Sequence, residues 1–287
     1  MCNNYERDDS VLKKMAMEIR LLALEGIHAA GSGHTGGSLS VAEILSVLLF
    51  HDMQVNLKQP EDPDRDRLVL SKGHAAPAYY AALALKGFFP KEDMKGLRQV
   101  GSHLQGHPSM VKTKGVDMST GSLGQGLSAA NGMAMAGKYH GKDYTVYCIC
   151  GDGELQEGQI WEAAMTSAHY KLDNLVLFVD HNHLQIDGRT EEVMNVEPIG
   201  EKFQAFGWDV DEIDGHDVKA IKAAVTAAKG RKGVPSVIVC NTVKGKGVSF
   251  MENQAVWHGL SPDDDQYERA VMELTAMETE KERRSAE

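Results

Sequence analysis

Two polar residues and four histidines of this chain sit where chemistry explains them better than packing does. Asp152 stands between Gly151 and Gly153, directly after the apolar run TVYCIC (145–150). Asn182 follows a second apolar run, NLVLFVD (174–180), and lies 30 residues beyond Asp152. If both runs are adjacent strands, the two residues meet at one rim of a sheet. A carboxylate, an amide oxygen and a backbone carbonyl are hard donors that suit Mg²⁺ or Ca²⁺ rather than zinc. Mg²⁺ normally completes its shell with water and phosphate oxygens, so the pair reads as an anchor for a cation carrying a phosphate ligand. The plainer alternative for Asp152 is an Asx turn capping the next helix, and the local string does not separate the two. His34 (GSGHTG), His74 (SKGHA) and His107 (QGHPSM) lie in glycine-containing or irregular stretches, and His258 lies in AVWHG. Imidazoles titrate near neutrality, so they donate to a carbonyl oxygen and take the proton back.

These residues need a scaffold. Apolar positions recurring at three and four residues predict a helix over residues 11–30, and a second apolar helix runs from about Val41 to Phe50. The string LVL (68–70) reads as a short strand delivering SKGHAAP, followed by a helix from about Ala78 to Lys86. Residues 91–117 read as irregular. GSLGQG opens a small-residue helix reaching Tyr139, and a helix from about Gln159 to Lys171 joins TVYCIC to NLVLFVD. HDVKAIKAAVTAAK (216–229) is a further helix and PSVIVCNTV (235–243) a further buried strand. Near-continuous apolar strands alternating with helices predict an α/β fold, a doubly wound parallel sheet with helices on both faces. In such sheets ligands gather beyond the carboxyl ends of the strands, where SKGHAAP, GDGE and DHNHLQIDG fall. GSGHTG matches the dinucleotide fingerprint, but a helix precedes it where that fingerprint needs a strand. No phosphate-binding loop of the GxxxxGK[ST] kind occurs.

The chain has 287 residues, 42% hydrophobic and 25% charged, with a net charge of −11. That balance argues against nucleic acid or an anionic membrane surface as partner. No apolar run is long enough to span a bilayer. The amino terminus, MCNNYERDDS, has no apolar signal core, so a cytoplasmic location is expected. Cys148 and Cys150 alternate on one strand and lack a second pair, so with Cys2 and Cys240 they read as free thiols. Residues 1–262 are expected to form one domain and residues 263–287 a charged, solvated helical tail with a frayed end.

GDGELQEGQIWEA followed by DHNHLQIDG is similar to the thiamine diphosphate motif, a GDG with an asparagine about thirty residues on. GSGHTGGSLS, LSKGHA, GHP, STGSLGQG, GDGELQEGQ and NHLQIDG come in the order found in transketolases, and TVKGKGVSFMENQAVWHG resembles their later histidine segment. The resemblance covers roughly nine tenths of the chain. It implies thiamine diphosphate with Mg²⁺ (or Ca²⁺ or Mn²⁺) as cofactors. It implies that Asp152, Asn182 and the Leu184 carbonyl ligate the metal, and that the Gly151–Asp152–Gly153 turn, His74 and His258 hold the diphosphate. Gly121, Leu123 and Ile186 would line the cofactor rings. His34 and His107 would face the sugar oxygens, with His74 and His258 nearby, and Glu157 would join a carboxylate pair at a subunit interface. An exposed helix-start carboxylate is the plainer reading of Glu157. His51, His140, His169, His181, His183 and His216 read as surface or packing residues, and VKGKG (243–247) as a solvated turn.

Ser122 stands where the family commonly has proline, and Thr35 where proline often follows the histidine. These departures loosen what the resemblance says about the sugar. The resemblance also implies that the cofactor-activating glutamate and the phosphate-holding arginines lie outside this chain. The expectation is the N-terminal subunit of a split transketolase, working on sugar phosphates with a separate C-terminal subunit in an α2β2 assembly. The alternatives are the α subunit of a 2-oxo-acid dehydrogenase, a transketolase acting on a modified sugar, and a non-catalytic cofactor-binding module.

Overall fold

The computed structural model describes the backbone of residues 8–286 and the side chains of residues 8–276, so Cys2 lies outside the described residues. Five strands form one sheet: β1 (Arg67–Leu70), β2 (Val146–Gly151), β3 (Leu175–His181), β4 (Asp209–Asp214) and β5 (Ser236–Asn241). Their order is β1-β2-β3-β5-β4, and every pairing is parallel. Among the described residues the α-helices are α1 (Asp9–Ala30), α2 (Thr35–Ser40), α3 (Ala42–Val47), α4 (Ala76–Lys86), α5 (Gln125–Tyr139), α6 (Gly158–His169), α7 (Thr190–Val193), α8 (Ile199–Ala205), α9 (Val218–Gly230) and α10 (Asp264–Ala286).

Strand alternation sorts the core into two layers. Tyr147, Ile149, Val176, Phe178, Ile238 and Cys240 face one layer with residues of α1, α3, α4 and α9. Val146, Cys148, Cys150, Leu175, Leu177, Val179, Val237 and Val239 face the other, with residues of α5, α6 and α8. Both faces are thus covered, which is why β2 and β3 read as near-continuous apolar runs. Cys148 and Cys150 share a face as expected, and these two and Cys240 are buried and free. Among the described residues no helix is long and apolar enough to cross a membrane.

Three elements depart from the sequence reading. Strand β4 is an edge strand of mixed, partly exposed residues, so DVDEID carries no apolar signature. Its place is held by the sheet and by Arg231, whose guanidinium donates to both Asp211 carboxylate oxygens at 2.6 and 3.0 Å. Thr35–Ser40 is helical although it contains Gly36 and Gly37. A Cβ on Gly36 would lie 2.8 Å from Lys244 Cγ and 3.0 Å from the Trp257 carbonyl, so tertiary packing overrides a poor helix propensity. The tail helix α10 is not wholly solvated: Ala270 and Leu274 are buried with Leu24 of α1, Val248, Met251 and Trp257.

Candidate active site

The carboxyl edge of the sheet carries the chemistry. β1 runs into Ser71-Lys72-Gly73-His74, β2 into Asp152-Gly153, β3 into Asn182, and β5 into Thr242 and Lys244. Gly151 pairs with Asp180 and Asp180 with Cys240, so the ends of β2, β3 and β5 lie level. Asp152 is 2% exposed and Asn182 is 6% exposed. One Asp152 oxygen accepts the Gly153 N–H at 2.7 Å, and the other accepts the His183 N–H at 2.6 Å, next to Asn182. Asp152 therefore caps the turn through the next residue's N–H, not through the N–H two residues on that an Asx turn uses, and it also locks the two loops together. Burial, then the nearby Asp180 charge, raises the Asp152 pKa to about 6. Asn182 Oδ1 accepts the Leu184 N–H at 3.2 Å, and its amide donates to Asp180 at 3.2 Å.

Asp180 is a fully buried hub that the sequence reading missed. It accepts from Lys72, from Ser40 at 2.6 Å, and from Thr242. Burial opposes its charge, but Lys72 and these hydrogen bonds outweigh it and hold the pKa below the ordinary value. Lys72 also donates to the Gly37 carbonyl at 2.9 Å, tying α2 to the strand ends.

His34, His74 and His258 form a near-equilateral triangle, with ring centroids 5.0, 5.4 and 5.1 Å apart. Lys244, 1% exposed, donates to His258 Nδ1 at 2.9 Å and to the Leu184 carbonyl at 3.0 Å. This corrects the reading of VKGKG as a solvated turn: its first lysine is buried in the site. Burial lowers the Lys244 pKa to about 8 against the pull of Asp152. Burial, with Lys244, His34 and Lys72, lowers His258 to about 3. Burial, then Arg98, His107 and Lys244, lowers His34 to about 4. Burial and Lys72 hold His74 well below its ordinary value. The triangle is neutral at pH 7. Arg98 approaches His34 Nδ1 at 3.3 Å; with Nδ1 accepting on His34 and His258, each neutral ring keeps its Nε2–H as a donor.

The His34 and His258 values both lie below the unfolded imidazole pKa of about 6.5. The unfolded chain therefore takes these protons first. Their contribution to stability is complete above pH ~6.5 and is lost as pH falls toward about 4 for His34 and about 3 for His258. Urea midpoints measured across that range should drop on acidification, and His34→Gln and His258→Gln should each flatten the drop.

His107 is among the groups whose charge acts on His34, and its ring lies against Gly121, whose φ is +147° and whose Cβ, if present, would lie 3.0 Å from that ring. Gly121 is thus needed for both its conformation and its bareness. Leu123 is half-buried, and Ile186, two residues past Leu184, is 67% exposed. Thr35 is buried and donates to the Leu260 carbonyl at 2.7 Å, so its hydroxyl is engaged within the chain.

Glu157 is exposed at the start of α6 and makes no side-chain cap hydrogen bond. Three residues earlier, Glu154 is buried. Its carboxylate accepts from Ser71 Oγ, from the Gly124 N–H at 2.8 Å and from the Gly151 N–H at 3.1 Å. It fastens the ends of β1 and β2 to the start of α5. Glu154→Ala leaves those donors unpaired in the interior, at about 1–3 kcal/mol per group. A loss of at least ~3 kcal/mol is expected in urea unfolding, whereas Glu157→Ala should change stability by less than ~0.5 kcal/mol.

The residues present fit a divalent cation. Asp152 keeps free lone pairs but only two N–H donors in a buried setting, Asn182 Oδ1 keeps a second lone pair, and the Leu184 carbonyl already faces an ammonium group. Two buried lysines, backbone N–H groups and neutral imidazoles beside these oxygens suit a phosphorylated ligand.

A parallel α/β sheet with an oxygen-lined cation site and a histidine triangle at its carboxyl edge defines the binding domain of a phosphorylated cofactor. The family model "Transketolase, thiamine diphosphate binding domain" matches residues 11–281. The chain belongs to the transketolase family of transferases, and it carries the family's thiamine diphosphate binding domain. It is 50% identical over 263 residues to the 6-deoxy-6-sulfo-D-fructose transketolase subunit SqwG of Clostridium sp. (strain MSTE9), covering 92% of this chain and 96% of that one. It is 44% identical over 252 residues to an apulose-4-phosphate transketolase subunit from Phocaeicola vulgatus, covering 88% and 89%. The crystal structure of transketolase from Campylobacter jejuni superposes with a TM-score of 0.86 at 37% identity, over 92% of this chain but 43% of that one. The chain thus spans less than half the length of that solved transketolase and nearly the whole of the two relatives named as subunits.

Proposed function

We propose that this chain is the cofactor-holding subunit of a two-chain transketolase. With a separate partner, it would move a two-carbon ketol unit from a ketose phosphate to an aldose phosphate. The observation that carries this reading is the meeting, at one rim, of the Asp152–Asn182–Leu184 oxygens with His74, His258 and Lys244. Asp152, Asn182 and the Leu184 carbonyl would ligate Mg²⁺, with Mn²⁺ or Ca²⁺ as substitutes. The Gly153 N–H, His74, His258 and Lys244 would hold the diphosphate, and Gly121, Leu123 and Ile186 would border the rings. Bound thiamine diphosphate would supply the carbon nucleophile that cleaves and re-forms the sugar's carbon–carbon bond. The protein's own part is to orient sugar oxygens and move protons: His34 and His107 would donate to hydroxyl and carbonyl oxygens, with the Nε2–H of His258 nearby.

A partner chain is supported by the subunit naming of relatives of matching length. It is supported also by apolar side chains left exposed: Tyr139 of α5 at 86%, Met165 of α6 at 55%, and Ile186 and Met194 in the loops beyond β3. Glu157, exposed at the start of α6, would join the carboxylate pair across such a contact. An α2β2 assembly would follow from closed symmetry. The expected cytoplasmic location agrees with the free buried thiols. A second reading, a sulfonated or branched sugar as substrate, is favoured by the names of the relatives at 50% and 44% identity. Assaying this chain with its partner against ketose phosphates and a sulfonated ketose tests both readings. Turnover by the chain alone, or turnover of 2-oxo acids, would contradict them.

A further inference from the structure

We propose that His181, His183 and Glu197 form a separate cation site for a first-row transition metal of the Zn²⁺ type. One ligand atom from each lies within 4.8 Å of the others. His181, the last residue of β3, is 5% exposed, and neither of its ring nitrogens has a hydrogen-bond partner. Glu197 Oε1 approaches His181 Nε2 at 2.7 Å, as an ion-pair contact without the alignment of a hydrogen bond. Leaving a buried polar atom unpaired is costly, so the ring is poised to take a partner. His183 supplies the second imidazole. Its backbone is left-handed, φ +63°, and this turn folds its ring back to 3.9 Å from the His181 ring, centroid to centroid. A non-glycine residue holds that conformation only against a steric cost. Here the Asp152 carboxylate accepts the His183 N–H, and the His183 carbonyl accepts the Thr190 N–H at 3.0 Å. The carboxylate is oriented too: Glu197 Oε2 accepts the Ile199 N–H at 3.0 Å and leaves Oε1 toward the rings.

The donor set is two imidazole nitrogens and one carboxylate oxygen, with His183 exposed so that solvent has access for a fourth ligand. Three protein ligands plus water is the arrangement of open zinc sites, with bonds of about 2.0–2.2 Å. Imidazole selects against Mg²⁺, so this site and the oxygen-lined one sort two cations by donor chemistry. A simple imidazolium–carboxylate pair would leave His181 Nδ1 unpartnered and gives no role to the second imidazole 3.9 Å away. The ligands bracket Asn182, so an ion here would pin the segment carrying Asn182 and Leu184 to the stretch leading into α8.

The full chain, stripped with a chelator and supplied with excess Mg²⁺ and thiamine diphosphate, is titrated with Zn²⁺ against a chromogenic competitor. One equivalent of Zn²⁺ is expected to bind, with affinity falling at least ~10-fold in His183→Asn and in Glu197→Gln. Asparagine tolerates the left-handed backbone, so the first variant keeps the turn. His34→Gln is expected to bind Zn²⁺ as the unaltered chain does, which separates this site from the histidine triangle. No stoichiometric Zn²⁺ in the unaltered chain, unreduced affinity in both site variants, or loss of the ion in His34→Gln would each overturn the assignment.

Discussion

Asp152→Ala is expected to abolish Mg²⁺-dependent thiamine diphosphate binding, weakening it by more than ~100-fold in calorimetric titration. Losing an outer-shell partner of a metal typically costs about 10–100-fold, and a charged ligand should cost more. The carboxylate does two things at once. It caps the turn by accepting the Gly153 and His183 N–H groups, and it supplies the only side-chain charge among the three oxygen donors. Asp152→Asn separates these duties. Its amide oxygen still accepts one of the N–H groups while its NH2 faces the other, so urea unfolding should lose about 1–3 kcal/mol, less than in the alanine variant, while cofactor affinity falls nearly as far. If both variants retained Mg²⁺-dependent binding, Asp152 would be a cap and nothing more.

The second large effect is expected at Lys244. Its ammonium group is almost wholly buried and donates to the Leu184 carbonyl and to His258. Burial works against this charge, which is why its pKa falls to about 8. Methionine keeps the apolar packing of the stem but leaves the Leu184 carbonyl and His258 Nδ1 unpaired in the interior, at about 1–3 kcal/mol per group. Lys244→Met should therefore lower the urea midpoint. Cofactor affinity should also fall about 10–100-fold, the value of a charge-assisted hydrogen bond of about 1.5–3 kcal/mol. The same change removes the largest charge acting on His258, so its imidazole pKa should rise in NMR titration. Unchanged cofactor affinity in a folded Lys244→Met chain would show that the lysine serves packing alone.

Much of the site is legible in the sequence because glycine-rich segments around a histidine are hard to explain by packing. His34 and His74 stand out on that ground, and the fold brings both together with His258. Asp152 and Asn182 are legible because each ends an apolar run, and parallel neighbours align their ends. What stays hidden shares a physical cause. Lys72, Asp180 and Lys244 are charged residues in strings that read as solvated turns or strand ends; only the convergence of β1, β3 and β5 shows that they are buried and paired. Glu154 and Glu157 differ by three positions in one polar stretch, and sequence has no means of telling which turns inward. Strand β4 escapes notice because an edge strand need not be apolar, and α2 because the room available to Gly36 is set by Lys244 and Trp257 from the far end of the chain.

The measurement that bears most directly on the central claim is a crystal structure of the chain with its partner, thiamine diphosphate and Mg²⁺. The expected result is one cation touching the Asp152 carboxylate, the Asn182 amide oxygen and the Leu184 carbonyl, with the diphosphate beside His74, His258 and Lys244. A cofactor seated elsewhere, or a cation at that rim out of contact with Asp152 and Asn182, would contradict it.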